Sequence, residues 1–453
     1  MKSVRVDILD NTIICKDDDL QKSLNYMDEN RELPAEIEKI ILQVVFKELG
    51  LKYDNGLSIK ENLNLLPKNF LREIVLDINT MFKGSRKVDY RDCYLPYVIY
   101  YLPVNVFKVW KPLLDLHIKS TLKKDARILD IGTGPASVPL GIIEFYKKLA
   151  QVYEELDFSL EFVLVDAQPN FLRIANKIIE AVKVYLPSNL KFHLKESICA
   201  KVTAESNFKL GKFDLISMSN FLAITEGNNS QYSYDLVSQF ADMLEDDGSF
   251  IIIEPGDVEN CINLKRLRNS LVKDGVFNVY SPCLGIWEKK DDYVCNCFST
   301  VRLHWELPNI FIYLKENGLR HSLRRDVPFN YAVLRKDGLT KYDPITNIQH
   351  FTKLCQLDNN IGKVINIIAF IRTSIYKENY IKLALCDGST HYNGYNEGVW
   401  IDIPSSRFKD IEKGIKLVAG ERIRILKVLV QKSRINNTYN LKLTDESRIT
   451  LNY

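Results

Sequence analysis

The chain has 453 residues, 46% of them hydrophobic, which suffices for the cores of about three ordinary domains. It shows neither the run of about 18 apolar residues that a membrane span needs nor the pattern of a signal peptide. Nine irregularly spaced cysteines argue against a disulfide framework, so we expect a protein of the reducing cytoplasm without a membrane partner.

The net charge of +3 is unevenly distributed along the chain. From Thr340 onwards there are 17 lysines and arginines against 11 aspartates and glutamates, whereas residues 1–339 carry 44 against 47. A basic final segment on a near-neutral body predicts an anionic partner for that segment. On charge alone, a solvated basic face is the alternative.

Residues 1–120 are predicted to form a helical domain. The segment 33–50 reads LPAEIEKIILQVVFKELG, with apolar residues at helical spacing and a glycine in the place of a C-cap. An aromatic-rich block at 89–120 follows, and Pro96 and Pro103 are expected to break it into short helices. Its aromatic stripe is typical of a core rather than of a ligand site.

From Ala126 strands alternate with helices. The predicted strands are RILDIG, EFVLVDAQ, LKFHLKES, FDLISMSNF and SFIIIEPG. This alternation predicts an α/β fold with a parallel, doubly wound sheet whose site lies at the carboxyl ends of its strands. A cysteine-bearing insertion at about 257–325 and a late strand, PFNYAVLRKDG, complete the predicted domain 121–338.

Residues 350–453 are predicted to form an all-β barrel. Five strand-like segments occur there, with one short helix between the third and the fourth, which is the order of an OB-fold. The segment 420–451 resembles OB domains of the replication protein A type, which supports the fold more than any ligand.

The first strand leads into a glycine loop, RILDIGTGPASVP, at 127–139. A dinucleotide site places an acidic residue about 20 positions after its glycines, but here Asp166 lies more than 30 positions beyond Gly132. Pro135 and Ala136 also crowd the turn that a pyrophosphate would approach. S-adenosylmethionine has no phosphate, so glycines for close approach and two carboxylates suit it better.

This order of parts resembles the class I methyltransferases, whose first motif has the form D-x-G-x-G. The resemblance implies that Asp130, Gly132 and Gly134 line the methionine side of the cofactor and that Asp166 binds its ribose. It places Glu196 and Ser197 where the adenine sits. A related fold that has lost its cofactor is the alternative.

The catalytic residue is not identified by the sequence. Methyltransferases of exocyclic amines often end the fourth strand with Asn/Asp/Ser-Pro-Pro-aromatic. The segment SMSNFLAI offers Ser219, Asn220 and Phe221 but no prolines, so Ser219 and Asn220 are weak candidates. A cysteine nucleophile near the fourth or fifth strand is not found, since Cys283 lies beyond the fifth.

The insertion holds Cys261, Cys283, Cys295 and Cys297. Thiolates gathered in a cytoplasmic protein more often hold a metal or a cluster than a disulfide. The paired Cys-x2-Cys knuckles of zinc sites are absent. Cysteines acting as small apolar side chains are the alternative.

Five features recur together in one family: the aromatic-proline block, LDIGTGP, EPG, SPC with a later CF, and FNYAVLRKDG. In this order they resemble the methyltransferase-like proteins of the mitochondrial small ribosomal subunit and their bacterial and archaeal relatives. The resemblance covers about residues 85–338 and extends to the strand LALCDGS.

That family holds an iron–sulfur cluster with four cysteines, so the resemblance implies a cluster here, of the 4Fe-4S type, with zinc as the alternative. Cys283 and Cys297 match its pattern. The intermediate cysteine falls near Lys289, where Cys295 is the replacement. The fourth ligand is Cys386, with Cys355 as its rival.

OB-folds bind single-stranded nucleic acid with aromatic and basic side chains. The aromatic candidates are Tyr380, Tyr392, Tyr395 and Trp400. The basic candidates are Arg422, Arg424, Lys427, Lys432 and Arg434. The alternative is that these side chains pack the barrel, but the charge surplus and the fold favour binding.

Together these features predict a methyltransferase-family protein that uses S-adenosylmethionine and acts on or with small-subunit ribosomal RNA. A non-catalytic assembly factor of the small ribosomal subunit that keeps the cofactor pocket is the second interpretation. A methyltransferase of a protein or small molecule is the third. The missing prolines favour the second interpretation, and the intact Asp130 and Asp166 favour the first.

Overall fold

The structure is a computed structural model that describes residues 11–15, 32–83, 94–223, 230–283, 286–287, 298–319, 326–343, 345, 347–390, 397–410, 417–433 and 438–451. The chain forms two compact units. The first comprises Met1–Thr203, Leu215–Ser219 and Leu303–Val327, and the second Ala204–Asp214, Asn220–Arg302 and Pro328–Tyr453.

The described ranges contain ten α-helices and thirteen strands. The helices are α1 (Ala35–Glu48), α2 (Ile59–Asn64), α3 (Lys68–Lys83), α4 (Tyr94–Asn105), α5 (Trp110–Ile118), α6 (Ser137–Val152), α7 (Pro169–Val182), α8 (Ser230–Ser238), α9 (Val258–Lys273) and α10 (Asn309–Glu316). The strands are β1 (Asp125–Ile131), β2 (Phe158–Asp166), β3 (Leu190–Cys199), β4 (Phe213–Ser219), β5 (Leu244–Pro255), β6 (Asn278–Ser281), β7 (Val301–His304), β8 (Asp326–Arg335), β9 (Val364–Tyr376), β10 (Tyr380–Cys386), β11 (Gly398–Pro404), β12 (Arg422–Lys432) and β13 (Thr438–Leu451). No helix in the described ranges is long and apolar enough to cross a membrane.

The first unit contains the predicted parallel strands. β1 pairs in parallel with both β2 and β4, and β2 pairs in parallel with β3, which gives the order β3-β2-β1-β4. Strands buried on both faces read as continuous apolar runs, and Ile128, Leu129 and Ile131 of β1 are fully buried. The strand–helix alternation read from the sequence is confirmed for this part of the chain.

The helices that follow β1 and β2 are amphipathic. In α7 the buried residues recur at helical spacing and form one apolar face. They are Phe171, Leu172, Ile174, Ala175, Ile178, Ile179 and Val182. Pro169 is the first residue of the helix. An N–H group at that position has no acceptor inside the helix, so proline loses no hydrogen bond there.

The aromatic-proline block differs from its prediction. Pro96 and Pro103 do not end helices, because both lie within α4, Pro96 in its first turn and Pro103 near its end. A first-turn proline is tolerated because that N–H has no partner inside the helix. The break comes at Val106–Val109, a short 3-10 helix that leads into α5.

The second unit contains an antiparallel set of strands and a barrel. β8 pairs with β5 on one side and with β6 on the other, both antiparallel. The barrel is closed, in the order β10-β11-β13-β12-β9, and only β11 and β13 run parallel in it. Five strands in a closed barrel are compatible with the predicted C-terminal barrel. The cysteine-bearing insertion and the three domain ranges stay predictions.

A buried ion pair joins the residues after β8 to the barrel. The Lys341 ammonium donates to both carboxylate oxygens of Glu421 at 2.9 Å, and neither residue is more than 4% exposed. The Tyr342 hydroxyl lies 2.9 Å from a Glu421 carboxylate oxygen and from the Gly420 carbonyl. The barrel therefore packs on the β8 end of the second unit through polar groups that have partners.

Candidate functional site

The glycine loop after β1 depends on left-handed backbone conformations. Gly132 and Gly134 have φ of 67° and 54°, which a side chain disfavours. Ala136 adopts the same region, with φ of 70°, as the residue before α6. The N–H groups of Gly132 and Thr133 donate to the Val165 carbonyl at 2.8 and 3.1 Å. The loop is therefore fixed against the end of β2.

Asp130, next to last in β1, is a buried carboxylate with one bound oxygen. It is 1% exposed, and its Oδ1 accepts a hydrogen bond from the Ser217 hydroxyl at 2.6 Å. Its Oδ2 is buried and has no hydrogen-bond partner among the described residues. Burial raises the pKa of Asp130 to about 7, although Ser217 opposes the shift. An unpartnered acceptor at this depth fits a ligand with a donor or a positive charge.

Asp166 ends β2 and holds the loop from the other side. Its Oδ2 accepts from the Gly134 N–H and its Oδ1 from the Gln168 N–H, both at 2.8 Å. Burial raises its pKa, against these backbone hydrogen bonds. A carboxylate has about four acceptor positions, so each oxygen keeps capacity for one more donor, such as a ribose hydroxyl.

The predicted adenine residues lie inside β3 rather than at its end. In the β2–β3 ladder Asp166 is level with Cys199, whereas Glu196 and Ser197 are level with Val163 and Leu164. Glu196 is exposed. Ser197 donates to the Asn176 side chain at 2.7 Å. The structure does not bring these two residues to the edge where Asp166 lies, and their adenine role stays a prediction.

One aromatic residue of the N-terminal block reaches the glycine loop. A Cβ placed on Gly134 would lie 4.0 Å from Cε1 of Tyr97 in α4. The Tyr97 ring also stacks on Tyr101 and contacts Phe171. The aromatic stripe of this block is predicted to form a core, and Tyr97 is not among the site residues predicted from the sequence. The signal available was the presence of tyrosine, rather than aliphatic residues, at two positions four residues apart.

Ser217 was also missed. It is the direct partner of Asp130 in the β1–β4 ladder, 87 residues further along the chain. A polar residue inside the apolar run of a buried strand was the available signal, but the register that pairs it with Asp130 cannot be read from spacing.

Within the second unit, a carboxylate holds the backbone of residues 221–223. Glu254 of β5, 2% exposed, accepts backbone N–H bonds from Phe221, Leu222 and Ala223 at 3.1, 2.9 and 3.1 Å. The catalytic candidate Asn220 has φ of 50°, and its N–H donates to the Ile253 carbonyl at 2.7 Å. Ser219, the other candidate, is the last residue of β4 and is half-buried.

A cavity of about 130 Å³ adjoins this loop within the second unit. Its lining includes Glu254, Ser233 of α8, and Asn260, Asn263 and Leu264 of α9. The wall is thus partly amide and hydroxyl and partly aliphatic, a composition typical of sites for small polar groups. Glu254 was not identified from the sequence, although it stands in the EPG motif.

Two of the predicted cluster ligands lie at the border of one apolar cluster of the second unit. Cys283, half-buried, packs on the apolar cluster that contains Phe370, and Cys386 is the ladder partner of Phe370. Cys355 is exposed. Cys295 and Cys297 lie outside the described residues. The described residues contain no group of three or more potential metal ligands, so the cluster stays a prediction.

Two of the predicted nucleic-acid residues are buried in the barrel. Trp400 is 7% exposed, and the Lys382 ammonium lies 5.3 Å from its ring centre. Arg422 is 6% exposed, stacks 4.8 Å from the ring centre of Tyr342 and donates to the Asp343 carbonyl. In this conformation both side chains serve packing.

The other predicted basic residues have contacts within the chain. Arg424 stacks over the Phe351 ring, at 5.3 Å from its centre. Lys427 forms an ion pair with Glu446, and Lys432 donates to Asp358 at 2.8 Å. Arg434, Tyr392 and Tyr395 lie outside the described residues, and Tyr380 begins β10 as a half-buried residue. Nucleic-acid binding by these residues stays a prediction.

Part of the outer face of the barrel is covered by the chain itself. Alternate residues of β9 point into the barrel core, and the intervening Phe370 and Arg372 are at most 2% exposed. The Thr300 N–H donates to the Arg372 carbonyl at 2.9 Å, and the Arg372 guanidinium donates to the Phe298 carbonyl at 3.3 Å. This stretch of β9 is therefore a contact for residues 298–300.

Comparisons with known proteins give remote similarities. No family model matches the chain. A probable polyketide synthase 14 of Dictyostelium discoideum is 22% identical over 264 residues, which are 57% of this chain and 7% of that protein. The chain thus spans only a small part of this curated relative.

Solved structures of methyltransferases are similar over longer stretches. A putative class I S-adenosylmethionine-dependent methyltransferase of Listeria monocytogenes has a TM-score of 0.31 at 12% identity, over 73% of this chain and 92% of that one. The plantazolicin methyltransferase BpumL, solved with SAH, has a TM-score of 0.27 at 12% identity, over 59% and 99%. A methyltransferase of Methanosarcina mazei has a TM-score of 0.25 at 14% identity, over 49% of this chain and 97% of that one. All three TM-scores lie below 0.5.

Proposed function

We propose that the chain binds S-adenosylmethionine at the carboxyl ends of β1 and β2 and transfers its methyl group to an acceptor. The observation that carries the proposal is the buried Oδ2 of Asp130, which has no partner among the described residues and stands beside the glycine loop. Asp166 bounds the same loop through the Gly134 N–H. The two carboxylates and the left-handed glycines fit a ligand with a positive charge and vicinal hydroxyls.

The charge of the site argues against a dinucleotide. A pyrophosphate binds where helix N-terminal N–H groups are free of acidic neighbours. Here Asp130 precedes the loop and Asp166 accepts from its second glycine, so a phosphate would meet two carboxylates. A cationic ligand is favoured by the same groups.

When bound, S-adenosylmethionine supplies an electrophilic methyl group on a sulfonium. Asp130 would hold the amino end of the cofactor and Asp166 its ribose hydroxyls. Glu254 fixes the backbone of residues 221–223 and thereby the position of Asn220, which keeps its place as the candidate to contact an acceptor.

We propose small-subunit ribosomal RNA as the acceptor, as the family resemblance implies. The basic surplus of residues 340–453 supports an anionic partner. A binding module that assists ribosome assembly without methyl transfer is the second candidate. The absence of prolines after Ser219 favours it.

We further propose that Cys283, Cys295, Cys297 and Cys386 hold an iron–sulfur cluster. It is supported by the apolar cluster against which Cys283 packs, because that cluster contains Phe370, the ladder partner of Cys386. These thiolates would anchor the insertion to β10 of the barrel, and zinc is the alternative metal.

Calorimetric titration of the anaerobically purified full chain with S-adenosylmethionine tests the central proposal. We expect binding in the micromolar range. Asp166→Ala removes charge-assisted hydrogen bonds, so it is expected to weaken binding by about 10- to 100-fold. Glu154→Ala, at an exposed acidic position, is the matched control and is expected to bind as the unmodified chain does.

The outcomes separate the candidate functions. Binding together with methyl transfer to small-subunit RNA supports the enzyme, whereas binding without transfer to RNA, protein or small molecules supports the assembly factor. A folded chain that binds no cofactor, or an Asp166→Ala variant that binds normally, would contradict the proposed site.

A further inference from the structure

The Tyr97 ring lies over the glycine loop, at the edge of the first unit's core. Its neighbours Leu95, Val98 and Ile99 in α4 are buried, whereas Tyr97 is half-buried. Its Cε1 is the nearest side-chain atom to a Cβ built on Gly134, at 4.0 Å. The edge of the half-buried Tyr97 ring therefore approaches the loop at Gly134.

Two further aromatic rings fix its orientation. Tyr101, one helical turn later, stacks on Tyr97 with ring centres 4.8 Å apart and an angle of 29° between the planes. Phe171, in the first turn of α7, lies 5.1 Å from Tyr97 at 53°. Offset stacking of this kind restrains a ring to one orientation.

The aromatic cluster lies close to two predicted cofactor-binding residues, Asp166 and Gly134. Phe171 follows Asp166 and Gln168, and the Asp166 carboxylate holds the Gln168 N–H at 2.8 Å. Gly134 is bound by the same carboxylate. Tyr97 therefore lies beside a loop whose position Asp166 fixes.

We infer that Tyr97 is a wall of the cofactor site and recognises the positive charge of the sulfonium. This inference rests on the proposed function. The face of an aromatic ring attracts a cation that lies within about 6 Å of its centre. Tyr101 and Phe171 act as positioning residues, because their rings contact the Tyr97 ring on one face and at a tilt. Asp130 contributes a negative charge to the same site.

The test compares two ligands that differ in charge. S-adenosylmethionine carries the sulfonium, and S-adenosylhomocysteine has a neutral thioether in its place. Calorimetry on the full chain measures the dissociation constants of both for the unmodified chain, Tyr97→Phe and Tyr97→Leu. Tyr94→Leu is the matched control, since Tyr94 is half-buried in the same helix and its hydroxyl points to Glu48 instead.

We expect Tyr97→Leu to weaken S-adenosylmethionine by about 3- to 30-fold and S-adenosylhomocysteine by about twofold at most. Tyr97→Phe keeps the ring and is expected to bind both ligands nearly as the unmodified chain does. A thermal melt of each variant checks that α4 stays folded. Where Tyr97→Leu does not fold, a folded Tyr97→Phe chain that binds S-adenosylmethionine much more weakly would overturn recognition by the ring, because the ring is unchanged in that variant.

The contrary results are distinct. Equal weakening of both ligands in Tyr97→Leu would overturn sulfonium recognition and reduce the residue to a packing contact. Unchanged affinity for both would remove Tyr97 from the site while leaving the proposed function in place. An unmodified chain that binds neither ligand would end both proposals.

Discussion

Asp130 is a buried carboxylate that lowers the stability of the folded chain once it is ionised. Its carboxylate is buried, with the Ser217 hydroxyl 2.6 Å from Oδ1 and no partner for Oδ2 among the described residues, and Ser217 and Thr133 both lower its pKa against the effect of burial. Burial disfavours the charged form and raises its pKa from 3.8 to about 7. A residue chosen for folding alone would not be ionisable here, so the conflict points to a ligand.

The raised pKa has a defined consequence for stability. Between the unfolded-state pKa near 3.8 and the folded-state pKa near 7, the folded chain binds more protons at this site than the unfolded chain. The free energy of unfolding therefore falls as the pH rises through this window and levels off above it. Asp130→Asn removes this fall in the free energy of unfolding, because asparagine does not ionise, and it keeps an acceptor for the Ser217 hydroxyl.

We predict that Asp130→Asn raises the free energy of unfolding at pH 8 by about 1–4 kcal/mol relative to the unmodified chain, since one pKa unit corresponds to about 1.4 kcal/mol. At pH 4 the free energies of unfolding of the two proteins are expected to be nearly equal. Urea melts of the cofactor-free chain at both pH values measure the difference.

Asp125→Asn, at an exposed position of the same strand, is the control and is expected to change the free energy of unfolding by at most about 0.5 kcal/mol. The same Asp130→Asn variant is expected to bind S-adenosylmethionine at least about tenfold more weakly. A variant that is destabilised equally at both pH values would argue against a buried charge at Asp130.

At the scale of elements, α6 owes its position to one glycine. A Cβ on Gly141 would lie 2.1 Å from the Val106 carbonyl oxygen and 2.7 Å from a Val109 methyl group. The Trp110 indole N–H donates to the Gly141 carbonyl at 2.9 Å. The helix that follows the glycine loop therefore packs against the backbone of the aromatic-proline block.

We predict that Gly141→Ala lowers the free energy of unfolding by about 1–3 kcal/mol, because overpacking outweighs the better helix propensity of alanine. Gln151→Ala, at an exposed position of the same helix, is the control and is expected to change stability by at most about 0.5 kcal/mol. Denaturant melts of both variants measure this. A neutral or stabilised Gly141→Ala chain would show that α6 is free to move away from Val106.

At the scale of the whole molecule, the barrel and the residues before it share buried contacts within the second unit. Trp287 donates to the Asp387 carboxylate at 2.6 Å, one residue after Cys386. The Arg268 guanidinium donates to the Cys283 carbonyl at 3.2 Å. A metal centre that includes Cys283 and Cys386 would add a covalent link to this region.

We predict that Cys283→Ser loses most of the bound iron and the visible absorption of the anaerobically purified chain, because a serine oxygen is a poor ligand for iron–sulfur clusters. Cys355→Ser is the matched control and is expected to keep both. Metal analysis and absorption spectra give the result. An unmodified chain that is colourless, free of iron and rich in titratable thiols would refute the cluster. Zinc found in the metal analysis would identify the site as a zinc site instead.

The sequence by itself determined the strand–helix alternation of β1 to β5, the glycine loop and the five strands of the barrel. These features follow from local periodicity and from the backbone freedom of glycine at Gly132 and Gly134, which spacing along the chain records. It did not locate the helix break at Val106–Val109, since Pro96 and Pro103 are tolerated inside α4.

Only the tertiary structure decided which side chains meet. Register places Ser217 beside Asp130, packing brings Tyr97 to Gly134, and Glu254 reaches the loop 31 to 33 residues before it. It also buries Trp400 and Arg422 in the barrel, and their predicted contact with nucleic acid stays a prediction. Such contacts join residues far apart in the chain, and their geometry depends on strand register and helix placement, which local sequence patterns do not encode.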